Sequence, residues 1–387
     1  VFILEGGGAV LLSEGDLVGT AAHRRLGRLR RRFFVALLAV LLAACGPEMP
    51  APTGVTPSEP RLYVMARTDE GWNLATAEVR TGVVTSLLEG ISGFAPAPEG
   101  AIVVLDAGRS LARWDGERLH PLWDCAGECR DPVMSPTGAY LAWSEEAGGE
   151  REGWVLALPD GAARSLGAIE SRLVWNPAGD QLAAITAEGL TLWSATGARV
   201  ASLTLRLLEA PPSWSPAGDR LAVINAAGTA VWLVPQRLTL NSEMTLLQPL
   251  AADEQTPEQI SALAWSPDGE QMALLRRRFF PPEEMPALGD GGGVHEESSG
   301  ADALGSQPWL FSLSGGRFTA LPGDGGASFA RPVWSADGRW LAAVRLPMGV
   351  PDPQPEVWVW EAKTGRLVQR FSGTAAPAWA LPSGGKG

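Results

Sequence analysis

The chain is poor in cysteine, histidine, lysine and positive charge, and each shortage closes off a class of protein. Three cysteines in 387 residues are too few for a disulfide-knitted scaffold. Three histidines (His23, His120 and His295) leave little material for imidazole-based catalysis or metal ligation. Lys363 and Lys386 are the only lysines among 31 basic residues, which reads as compositional bias rather than functional patterning. A formal net charge of −12 argues against nucleic acid as a partner, because that affinity rests on neutralising phosphates. Turn formers, by contrast, are plentiful: 46 glycines and 31 prolines favour many short strands and turns over long helices. With 45% apolar residues and a mean hydropathy of +0.04, the chain can bury a large core and is not disordered in composition.

The first 44 residues read as an export signal. His23 to Arg32 carries six arginines and no acid, and Phe33 to Ala44 is a twelve-residue apolar run. A basic segment followed by so short an apolar one suits a secretory signal better than a membrane span. The run ends Leu42-Ala43-Ala44-Cys45, which resembles the bacterial lipobox. That resemblance implies cleavage before Cys45 and acylation of its thiol; an uncleaved anchor helix is the alternative. Arg30-Arg31-Arg32-Phe33-Phe34 also loosely resembles a twin-arginine signal. Residues 1–22 precede the basic segment and contain three acids, so translation is expected to start near His23. Loss of residues 1–44 takes away six arginines and three acids and leaves a mature charge of −15. So acidic a body has no electrostatic attraction to anionic lipid, and attachment falls to acyl chains at about 0.8 kcal/mol per buried methylene. Residues 45–60, rich in Pro, Thr and Ser, read as a semi-extended tether.

The remainder repeats one unit. Val174-Trp175-Asn176-Pro177-Ala178-Gly179, Ser213-Trp214-Ser215-Pro216-Ala217-Gly218, Ala264-Trp265-Ser266-Pro267-Asp268-Gly269 and Val333-Trp334-Ser335-Ala336-Asp337-Gly338 each run into an apolar strand. Degenerate copies at Pro96, Met134 and Trp379 extend the series, giving anchor intervals of 38, 41, 39, 51, 69 and 45 residues. Periods near forty belong to propeller blades. Ser-Pro-Asp-Gly supplies a hairpin turn: proline presets φ, Asp caps locally and glycine relieves the exit. A second tryptophan follows most anchors (Trp114, Trp154, Trp193, Trp232, Trp358) and marks a third strand. All sixteen tryptophans follow residue 60 and are expected to pack between blades; burying one stabilises by up to ~4–6 kcal/mol.

The W-S-P-D-G turn followed by a Leu-Ala strand resembles the TolB-type propeller repeat, a relative of WD-repeat blades. The resemblance spans residues 61–387 and implies an all-β, seven-bladed β-propeller of four-stranded antiparallel blades. Residues 61–93 supply three strands and the anchor at Trp379 a fourth, so the ring closes between the chain ends. Six blades with residues 61–93 packed outside are the alternative.

Two embellishments stand out. Residues 281–306 form an acidic, glycine-rich insert, expected to be a flexible loop rather than a binding lid. Cys125 and Cys129 are expected to form a small-loop disulfide; zinc would need further ligands, and only His120 is near in sequence.

No nucleophile elbow, phosphate-cradling loop or zincin helix occurs, and neither His120 nor His295 is placed beside a nucleophile. Propeller lactonases hold calcium with channel-facing carboxylates and amides, whereas the residues just before the anchors are Asp131, Arg172, Pro211, Ser261 and Arg331, a mixed set with one acid. Neither catalysis nor a cofactor or metal is expected. Asp131, Arg172, Ser261 and Arg331 are the candidates for binding at the channel mouth, with Trp175, Trp214, Trp265, Trp334 and Trp379 as blade anchors. The expectation is a monomer, held to the membrane by the lipid on Cys45, that binds an envelope protein or peptide on the extracytoplasmic side, an interaction the TolB resemblance implies. The alternative is a propeller binding or hydrolysing a glycan or lactone.

Overall fold

The computed structural model describes residues 60–159, 161–237, 243–248, 258–279 and 303–381. The export signal, Cys45 with its tether, most of the acidic insert and His295 lie outside these residues. Among the described residues the only helix is one 3-10 turn, Pro98–Gly100.

Seven four-stranded antiparallel sheets form a β-propeller. In chain order the first six blades begin with innermost strands Ile91–Pro96, Glu128–Met134, Val174–Trp175, Ser213–Trp214, Glu258–Trp265 and Ala327–Trp334. Each innermost strand ends on the anchor residue of its repeat, so the sequence period is the blade period. The closing blade takes its innermost strand, Thr374–Trp379, from the C-terminal end and Leu62–Thr68, Gly71–Ala77 and Val84–Leu88 from the N-terminal end. Leu62 pairs with Trp379 and Ala66 with Thr374. The six-bladed alternative is thereby set aside.

Closure of the ring is visible in the core. Seven apolar clusters occur among the described residues, and each is built from two adjacent blades. Trp379 and Val64 of the closing blade meet Trp340 and Val357 of the sixth; Tyr63 and Met65 meet Ile102 and Val104 of the first. Three of the five tryptophan anchors also tie blades by indole hydrogen bonds, whereas the buried indole N–H groups of Trp214 and Trp265 have no such partner among the described residues. The indole N–H of Trp175 donates to the Val133 carbonyl (3.2 Å), that of Trp334 to Ala264 (3.1 Å) and that of Trp379 to Val333 (3.2 Å). Each acceptor immediately precedes the previous anchor, so indole burial and indole polarity are satisfied by one contact.

The turn chemistry explains the Ser, Asp and Gly of the repeat. The Ser266 hydroxyl accepts the Gln271 amide at 2.9 Å and donates to Asp268, whose carboxylate also accepts the Glu270 amide at 2.9 Å. Ser335 and Asp337 repeat the arrangement, and Asn176 substitutes its amide oxygen in the third blade. The closing glycine is left-handed, with φ of +72° at Gly218.

One boundary needs correcting. The insert was expected to run through residue 306, but the third strand of the fifth blade already begins at Ala303 (Ala303–Ser312). Ser306 is buried, and its hydroxyl donates to the Phe329 carbonyl at 2.9 Å while accepting the Phe329 amide at 2.5 Å. Those bonds stitch that strand to the sixth blade.

Candidate functional site

A channel of about 980 Å³ runs through the ring, walled by the innermost strands. Its walls are mostly apolar, with Phe94, Val133, Ala264 and Pro377 among them, and its charges are few. Glu128, Arg130, Asp131, Arg172 and Arg331 are the charged side chains lining it among the described residues.

In three blades a bulge three residues before the anchor redirects the backbone, and in two of them it aims a charged group, Asp131 or Arg331. In the second, sixth and closing blades the ladder slips at Asp131, Arg331 and Ala376, each followed by proline. All three take left-handed backbone, with φ of +48°, +54° and +48°. Proline fits there because the second edge of an innermost strand faces the channel and needs no ladder amide. A non-glycine residue in this conformation costs on the order of 1–3 kcal/mol, and such bulges redirect a side chain from the sheet face.

Asp131 and Arg331 meet across the ring. Counting blades from the second to the sixth, the shorter way passes the first and the closing blade, so the two strands lie nearly opposite. The Arg331 guanidinium nonetheless donates to Oδ1 of Asp131 at 3.1 Å. Oδ2 of Asp131 accepts from Arg151, on the third strand of the second blade (Glu150–Ala157), at 2.7 Å. Arg172, just ahead of the third innermost strand, is half-buried in the same wall. Burial, reinforced by the charge of Arg331, pushes its guanidinium down to about 10, with Arg151 acting the same way and Asp131 opposing them. It remains charged at neutral pH. The other lining pair is self-contained: Arg130 bonds Glu128 at 2.9 Å and Glu146 at 3.1 Å.

Three of the four sequence candidates, Asp131, Arg172 and Arg331, therefore converge, and Ser261 does not. Ser261 lies one residue off the register, four before its anchor, and its hydroxyl turns back to the Leu275 carbonyl of its own blade at 3.4 Å. Ser92 does the same toward Leu105 at 3.1 Å. Serines at this position patch the ladder gap left by the bulge. Arg151 escapes a sequence reading altogether, because no repeat position marks it.

Away from the channel, Cys125 and Cys129 are joined by a disulfide with Cα atoms 5.9 Å apart. Oε1 of the buried Glu145 accepts the Gly127 amide within that loop at 2.5 Å. These three residues are the one compact Cys/Glu group among the described residues, and its sulfurs are spent on each other. His120 lies on an outermost strand (Leu119–Asp124) and pairs with Asp115 at 2.9 Å. The amides of Arg118 and Glu117 and the His120 ring hold the Asp115 carboxyl well below the usual carboxylate range.

No known family matches the chain, and neither does any curated protein. Many solved structures share its ring. A periplasmic gluconolactonase of Pseudomonas aeruginosa is 14% identical with a TM-score of 0.53, covering 84% of this chain and 99% of that one. A protein from Lactobacillus plantarum is 13% identical at a TM-score of 0.53, covering 83% and 99%. TolB from Acinetobacter baumannii is 11% identical at a TM-score of 0.45, covering 82% of both chains. At these identities the likeness is one of fold.

Proposed function

We propose that this is an extracytoplasmic, lipid-anchored propeller whose channel mouth binds a protein or peptide of the cell envelope, without catalysing a reaction. The observation that carries the reading is the channel itself. It is large enough for a side chain cluster or a short peptide, apolar along its walls, and furnished with a few convergent charges. Among the described residues its lining offers no base beside a nucleophile: Asp131 is held by two arginines and Glu128 by Arg130. The basic segment, apolar run and Leu42-Ala43-Ala44-Cys45 sequence support export and acylation at Cys45.

A second reading takes its support from the ring shared with a protein named as a periplasmic gluconolactonase: a small sugar-derived ligand bound in the channel. A calcium-dependent version fits poorly, since calcium takes six to eight oxygen ligands and the channel wall supplies two carboxylates, both paired with arginine. The test is affinity capture from the host's envelope extract with the acylated chain as bait, beside an Arg331→Glu variant. A partner retained by the native bait and lost by the variant supports the reading. Capture that ignores the variant sinks the channel mouth as the binding face.

A further inference from the structure

The channel charges do not balance. Arg151 and Arg331 take both oxygens of Asp131, and Arg172 lines the same channel wall near enough to feel all three charges. Among the described residues the Arg172 guanidinium has no hydrogen bond and no ion pair, although it is half-buried in the channel wall. The remaining wall charges offer it nothing, because Glu128 is engaged with Arg130. A half-buried cation without a partner is partly desolvated for no compensating bond, and such groups collect where a ligand completes them. The Arg331–Asp131 pair is the weaker of the two bonds to Asp131: Arg331 is 43% exposed and spans the ring, while Arg151 is 27% exposed and belongs to the same blade as Asp131.

We propose that Arg172 and Arg331 form a carboxylate receptor inside the channel, with Asp131 an internal stand-in that an acidic peptide displaces from Arg331. The proposal rests on the peptide-binding reading above and names the chemistry it leaves open. A carboxylate fits because the present occupant is one: Asp131 already bridges two guanidinium groups through its two oxygens, and planar guanidinium forks match a planar two-oxygen acid. The apolar walls at Phe94, Val133 and Pro377 suit hydrophobic residues flanking the acid. Attraction is short-range, because the net acidic body repels an acidic ligand at a distance, whereas three arginines and two carboxylates line the channel.

The test is a titration of the purified full chain with four probes: a fluorescein-labelled Ala-Glu-Phe-Glu-Ala peptide, its Gln counterpart, sodium succinate and inorganic phosphate. The Glu peptide is expected to bind at least tenfold tighter than the Gln peptide. Arg172→Gln and Arg331→Gln should each abolish that preference, with melting curves showing that the variants are folded. Asp131→Asn, which removes the internal competitor, should tighten the Glu peptide by about tenfold. Equal binding of both peptides would sink the receptor while leaving the peptide-binding reading intact. Succinate bound without either peptide would do the reverse. Phosphate bound as tightly as the Glu peptide would overturn the carboxylate assignment, and a preference that survives Arg172→Gln would remove Arg172 from it.

Discussion

Replacing Arg172 with methionine should make the protein more stable. Methionine keeps most of the stem that packs along the channel wall and removes a charge that has no partner. A guanidinium pushed down by folding to about 10 carries a folded-state penalty of about 3 kcal/mol at neutral pH before solvent screening. Arg172 keeps some contact with channel water, so the realised gain is about 1–2 kcal/mol, or roughly 2–4 °C in melting temperature for a ring of this size. The sign follows from the direction of the shift. A base depressed by folding destabilises the fold wherever it is charged, so the penalty is complete below about pH 10 and fades above it. The advantage of Arg172→Met should therefore be flat from pH 6 to 9. Scanning calorimetry of both proteins across that range measures it. Arg151→Met is the contrasting control, because it strips one oxygen of the 16%-exposed Asp131 of its partner and should destabilise. If Arg172→Met loses stability to a similar extent, Arg172 has a partner and the charge imbalance in the channel is not real.

Other outcomes follow from the ring and its tether. Truncation after Ser372 removes the innermost strand of the closing blade and leaves the edge of Leu62–Thr68 unpaired; aggregation and loss of a cooperative melt are expected, followed by light scattering and calorimetry. Gly218→Ala should cost about 1–2 kcal/mol from its left-handed backbone alone, since an added Cβ meets nothing closer than Pro177 at 3.5 Å; a denaturant midpoint checks it, and a neutral result would mean that the turn relaxes. Cys45→Ser should move the protein from membranes to the soluble extracytoplasmic fraction, and membrane association that persists after carbonate washing would count against the lipobox.

The architecture was legible because its signal is local and repeated. Each turn, with its Ser or Asn, its Gly and the anchor two residues before the proline position, is written within six residues and recurs near every fortieth. Even the poor copies at Pro96 and Trp379 fall at the ends of innermost strands, because spacing constrains a ring as strongly as composition does. The site was legible only in part. Asp131 and Arg331 are 200 residues apart, and their contact exists only because seven blades close a circle of one diameter. Their common offset of three residues before the anchor was available, as was the following proline in Asp131-Pro132 and Arg331-Pro332. Applying that offset strictly would have replaced Ser261 with Ala262. Arg151 left no trace, since its reach to Asp131 depends on a long side chain crossing from the third strand toward the first.

The central claim, that the channel mouth is the working face, is tested most directly by photo-crosslinking in living cells. A photoreactive residue would be placed inside the channel by Phe94→benzoylphenylalanine, and on outermost strands by Val200→benzoylphenylalanine and Leu119→benzoylphenylalanine. Phe94 lines the channel, while Val200 and Leu119 are 54% and 48% exposed on the rim. The account predicts an adduct from position 94, weakened by adding Arg172→Gln, and none from 119 or 200. Adducts from the rim positions with none from position 94 would contradict it.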